Sequence, residues 1–74
     1  MFDFHFVFMG GLEYDVDNVT KIMIYSNKGY IEKSGEEILS TAIPINTTFL
    51  FTPNGNFTIS GENLCVIDVK KQDS

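Results

Sequence analysis

A chain of 74 residues can bury only about 60% of the surface its unfolded form exposes, so it supports one small domain with little surplus over the entropy of ordering it. With 43% hydrophobic and 20% charged residues it is globular rather than disordered in composition, and no apolar run approaches the roughly 20 residues of a membrane-spanning helix. A net charge of −5, with five lysines and no arginine, disfavours nucleic acid and anionic membranes as partners and suits solubility or a basic protein partner.

The chain begins with Phe2, Phe4, Phe6 and Phe8 at every second position, the period of a strand, which predicts a strand over 2–9. Asp3 and His5 interrupt the apolar run, no basic stretch precedes it and no small-residue cleavage site follows, which argues against a secretion signal. The next strand is expected at 12–17, and the register between the two follows from charge. A two-residue Gly10-Gly11 loop would place Glu13, Asp15 and Asp17 among the rings and bury unpaired carboxylates. A three-residue loop of Met9, Gly10 and left-handed Gly11 pairs Phe8 with Leu12, Phe6 with Tyr14 and Phe4 with Val16. The opposite face then carries Val7 beside Glu13, His5 beside Asp15 and Asp3 beside Asp17.

Strands at 20–26 and 30–33 flank the turn signal Asn27-Lys28-Gly29, and pairing Tyr25 with Tyr30 and Ile24 with Ile31 sorts their side chains best. Both faces of this pair are partly apolar, which fits a central position or contact with another chain. A strand at 37–43 follows, overlapping the one short helical candidate, Gly35 to Ser40, and Pro44 ends it or lies on an edge. Strands at 48–52 and 56–60 enclose Pro53-Asn54-Gly55. A three-residue loop there pairs Phe51 with Phe57 and Phe49 with Ile59, giving a second apolar layer of Phe49, Phe51, Phe57 and Ile59. The last strand is expected at 64–70. The whole reads as an all-β, small single-domain antiparallel sandwich or barrel of about 6–8 short strands over 1–70, with at most one helical turn near 35–40 and a flexible tail at 71–74.

Candidate chemistry is sparse. Asp3, His5, Asp15 and Asp17 share one face of the first hairpin and could hold a divalent cation, since carboxylates suit calcium and imidazole suits transition metals; the competing description is a wet, charged strand face. Lys21, Lys28 and Lys33 gather near Tyr25 and Tyr30, a pattern that can stack bases or a small ligand, against which stand edge lysines that merely solubilise. Cys65, the single cysteine, excludes an internal disulfide; flanked by Leu64, Val66 and Ile67 it reads as a buried structural thiol in a reducing, cytoplasmic setting. No serine, cysteine or second histidine is placed to work with His5, and no phosphate-binding loop is present, so no enzyme activity and no cofactor is expected.

The reading favoured is a non-enzymatic protein-protein interaction module, a homo-oligomer or an accessory or inhibitor protein acting through a surface or a strand edge. Ile-, Asn-, Phe- and Lys-rich composition without Arg or Trp suggests AT-rich coding and hence a bacterial or phage source. The alternatives are a barrel binding a small ligand, nucleotide or single strand over the Tyr/Lys patch, and a metal-binding hairpin face.

Overall fold

The computed structural model describes residues 1–73, apart from the side chain of Ser26. Their strands are β1 (Phe2–Phe8), β2 (Glu13–Val19), β3 (Lys21–Ser26), β4 (Gly29–Ser34), β5 (Thr47–Thr52), β6 (Gly55–Ser60) and β7 (Leu64–Lys71), with a 3-10 helix at Gly35–Ser40. They form two antiparallel sheets, ordered β2-β1-β7 and β4-β3-β5-β6. The all-β expectation holds, with two facing sheets rather than one closed barrel.

Period-2 alternation builds the core. In β1 the phenylalanines point inward, and Phe2, Phe4 and Phe6 are buried, Phe6 completely. Val16 and Val19 of β2 and Ile22 and Leu50 of the second sheet join them, and Phe8, Ile67 and Val69 pack at the margin. The expected register of the first hairpin is present: Phe6 faces Tyr14, Phe4 faces Val16, His5 faces Asp15 and Val7 faces Glu13. Its loop closes with the Phe8 N–H on the Leu12 carbonyl at 2.8 Å, and Gly10 and Gly11 take the positive φ angles that the turn needs (87° and 86°). The register shifts beyond Phe4, so that Phe2 faces Val19 and a bulge leaves Asp17 and Asn18 together opposite Asp3. Val16 and Val19 are three apart, an odd spacing that both can meet inward only across such a bulge. Asn18 absorbs it at φ 63°, and its N–H donates to Asp3 Oδ1 at 3.1 Å, so the expected Asp3–Asp17 pairing does not form.

Just past the bulge the chain crosses between sheets. Thr20 donates both its N–H (2.9 Å) and its hydroxyl (3.2 Å) to the Phe51 carbonyl, tying the end of β2 to the second sheet. The second hairpin pairs Tyr25 with Tyr30 and Ile24 with Ile31, as expected. The third corrects the sequence reading by one residue: Thr52 pairs with Gly55, Phe51 with Asn56, Leu50 with Phe57 and Phe49 with Thr58. Pro53 and Asn54 alone make the loop, which the Thr52 hydroxyl braces by donating to the Gly55 carbonyl (2.9 Å) and accepting from the Asn54 N–H (3.3 Å). Because β3 places Ile22 opposite Leu50 and Ile24 opposite Thr48, the inward side of β5 is fixed by its other neighbour. A slip of one residue inverts every side chain of a strand, so Phe49 and Phe51 face outward and Leu50 and Thr48 inward.

Three further expectations change. The strand expected at 37–43 is the 3-10 helix followed by a loop: Ser40 and Thr41 turn their hydroxyls back to the Glu37 carbonyl (3.1 and 3.0 Å), and Ile38 plugs the core. Cys65 is exposed, its thiol 3.9 Å from the Asn63 carbonyl, because the β1–β7 register shifts near Phe8 and breaks the alternation there. Finally, β7 runs one residue past its expected end, through Lys71, and Gln72 donates its N–H to the Met1 carbonyl (2.9 Å) and its side-chain amide to Asp3 and Asn18 (2.7 and 2.6 Å); Ser74 of the expected tail lies outside the described residues.

Candidate functional site

The outer face of the first sheet gathers Asp3 and His5 of β1, Glu13, Asp15 and Asp17 of β2, and Asp68 and Lys70 of β7. His5 lies at its centre, with Nδ1 at 2.5 Å from Asp15 Oδ1 and Nε2 at 2.9 Å from Glu13 Oε1, while Asp68 is its partner across β7. The bond to Asp15 raises the imidazole above its ordinary pKa of 6.5; Glu13 raises it further and desolvation opposes them. An imidazole bonded to carboxylates at both nitrogens is an ion-pair centre with no lone pair left for a metal. Asp3 is likewise engaged by Asn18 and Gln72, and the bulge takes Asp17 out of simple opposition to it. Among the described residues no group of three or more His, Cys, Asp or Glu side chains is arranged to hold a metal ion. The candidate ligands Asp3, His5, Asp15 and Asp17 share a face on which His5 is held by Asp15 and Glu13, and Asp3 by Asn18 and Gln72.

The outer face of the second sheet is aromatic. Registers place Lys21, Met23 and Tyr25 of β3, Tyr30 and Glu32 of β4, and Phe49 and Phe51 of β5 on it. Tyr25 and Tyr30 meet edge to face at 5.3 Å between centroids, and Tyr30 continues to Phe49 at 6.2 Å. Lys21 lies 4.7 Å over the Phe51 ring and pairs with Glu32 at 3.0 Å. Of the candidate binding residues, Tyr25, Tyr30 and Lys21 thus come together. Lys33 does not join them, since it pairs with Ile22 and points to the other side of the sheet, and Lys28 lies in the turn beyond Ser26. Three lysines do not converge on the tyrosines.

A third feature was not visible in the sequence pattern. The 3-10 helix packs against β4 and β7 and fills one side of the sandwich with Ile38. On the other side, between β2 and β6, a cleft of about 460 Å³ stays open, lined by Phe8, Tyr14, Val16, Leu50, Phe57 and Ile59 and reaching Thr58, Ser60, Glu62 and Asn63. Tyr14 and Phe57 stand half-exposed at its mouth. The β5–β6 ladder closes on the Thr52–Gly55 pair, so antiparallel alternation turns the main-chain N–H and C=O groups of Asn56, Thr58 and Ser60 away from β5, toward the free edge.

Natural sheets discourage edge pairing with charges. Here the edge strand β2 carries Glu13, Asp15 and Asp17, β7 carries Asp68, Lys70 and Lys71, and β4 carries Glu32 and Lys33. The edge strand β6, Gly-Asn-Phe-Thr-Ile-Ser, carries none. That absence is the signal in the sequence that could have marked the site, but it becomes meaningful only once the strand order shows which strands are edges. Comparison with known proteins finds no matching family model, no similar curated protein and no similar solved structure.

Proposed function

We propose that the chain is a non-enzymatic protein-protein interaction module that takes up an extended segment of a protein partner by strand addition along β6. The carrying observation is the uncharged β6 edge, with its outward main-chain groups at Thr58 and Ser60 set beside the apolar β2–β6 cleft. Main-chain pairing to an edge supplies affinity, and alternate side chains of the added segment enter the cleft and supply selectivity. Apolar residues at every second position suit the rings of Phe8, Tyr14 and Phe57, and Glu62 at the rim with Glu13 and Asp15 along β2 favours a segment with flanking lysine or arginine. His5, bonded to carboxylates at both ring nitrogens, gives no support to catalysis. An exposed unpaired thiol at Cys65 suits a reducing compartment, and we place the protein in the cytoplasm of a bacterium or of a phage-infected cell.

The test is selection of peptides from a random library on the purified protein, followed by amide NMR of the bound state. Selected peptides should alternate apolar residues and shift the amides of residues 56–60, and they should release from Thr58→Pro, which deletes an edge N–H, and from Thr58→Lys, which charges the edge. Peptides that bind equally well to both variants, or that leave those amides unmoved, would remove the edge from consideration.

A further inference from the structure

A different surface carries a second interaction. We propose that the outer face of the second sheet is a self-association face that docks against the same face of a second copy across a two-fold axis.

Charge decides the occupant. The chain has a net charge of −5, and its carboxylates are distributed unevenly. On the outer face of the first sheet Asp3, Glu13, Asp15, Asp17 and Asp68 outweigh Lys70 and His5, so two such faces repel each other. On the outer face of the second sheet the charged groups are Lys21 and Glu32, already paired at 3.0 Å, and the rest is Met23, Tyr25, Tyr30, Phe49 and Phe51 beside neutral Asn56 and Thr58 of β6. It is therefore the sheet face on which two acidic copies can meet without opposing charge. A two-fold axis makes the contact self-complementary: each copy brings one cation and one anion, and Lys21 of either can exchange Glu32 of its own chain for Glu32 of the other.

The same inventory argues against the other occupants. A single strand of nucleic acid needs cations for its phosphates, and the one lysine on this face is engaged with Glu32 and lies over Phe51. A basic partner is drawn to the first sheet's face. The rings are also arranged for contact: Tyr25 and Tyr30, 46% and 56% exposed, stand above half-buried Phe49 in a continuous aromatic row, a composition enriched at interface centres.

Light scattering of the full chain across a concentration series tests this, with Tyr25→Ser/Tyr30→Ser, Lys21→Glu, and Lys21→Glu/Glu32→Lys as variants, each checked by circular dichroism. The wild type should be a dimer, and the double serine variant should stay folded and dissociate at least about tenfold more readily. Lys21→Glu should weaken the dimer at low salt and the charge-swapped double variant should restore it. A wild-type monomer at every concentration, or a dimer unaffected by the serine pair, overturns the proposal. A dimer that Thr58→Lys breaks and the serine pair does not would place self-association at the β6 edge instead.

Discussion

On the first sheet the outward positions of β1 and β2 hold Asp3, His5, Glu13 and Asp15; on the second those of β3, β4 and β5 hold Met23, Tyr25, Tyr30, Phe49 and Phe51. Both sets arise from the same two-residue alternation over the same kind of core. Folding explains the first pattern fully, because a strand with rings inward and charges outward satisfies itself. It explains the second only in part. β3 and β5 are central strands, and their apolar residues on both sides help them pack among neighbours, yet on the outer side Tyr25 and Tyr30 stay about half exposed. The first face presents charge to water, and the second leaves these two tyrosines exposed beside half-buried rings.

The sharpest way to break this contrast is to truncate one phenylalanine on each side of the core. Phe6 is fully buried between the sheets, so Phe6→Ala should cost about 3–5 kcal/mol in urea unfolding. Phe49 lies on the outer face, half-buried, and Phe49→Ala should cost about 1 kcal/mol while weakening self-association. Equal losses of stability at the two positions would mean that the outer rings belong to the folding core.

That both residues are phenylalanine shows how far the sequence could be read. The face of β1 was legible because charge sorted it: only one register kept Glu13, Asp15 and Asp17 out of the rings. The face of β5 was not, because Thr-Thr-Phe-Leu-Phe-Thr offers apolar residues to both sides and no charge to penalise the wrong register. Its orientation is settled by β3, through Ile22 opposite Leu50, a contact between residues 28 apart whose existence depends on strand order. The cleft beside β6 was hidden for the same reason. The helical turn could be seen at Gly35 to Ser40 but competed with a strand reading, and what decided it was the need to plug one side of the sandwich with Ile38.

Within the charged face, residues that look alike in sequence differ in role, and a smaller effect tests this. Asp3 accepts the bulge N–H of Asn18 and the amide of Gln72, so it holds together β1, the β2 bulge and the end of the chain. Asp3→Ala should cost about 1–2 kcal/mol, whereas Asp17→Ala should stay within about 0.5 kcal/mol, as for an ordinary surface position. Matching values would reduce Asp3 to one more solubilising charge. On the inner side of β5, Thr48 is fully buried and its hydroxyl has no hydrogen-bond partner among the described residues. Thr48→Val removes that polar group at nearly constant shape, so thermal melts should show a gain of about 1 kcal/mol; a loss would show that the hydroxyl is paired after all.

The smallest effect is one of pH, and it separates the two faces most cleanly. His5 is held above 6.5 first by its bond to Asp15, then by Glu13, with Asp68 facing it from β7 and Asp3 and Lys70 beyond. A histidine whose folded-state pKa is raised adds stability that is present in full below its unfolded value and disappears as pH rises through the folded one. The melting temperature should therefore fall slightly across that window, and NMR titration of the His5 ring should find its midpoint above 6.5, moving back toward that value more in Asp15→Asn than in Glu13→Gln. The chain's one histidine lies on the first sheet's outer face, and none lies on the second's. Self-association through the second should be flat over the same interval. A dimer that dissociates in step with the His5 titration would place the contact on the acidic face, where protonated His5 offsets the carboxylates of a facing copy, and would reverse the roles assigned to the two sheets.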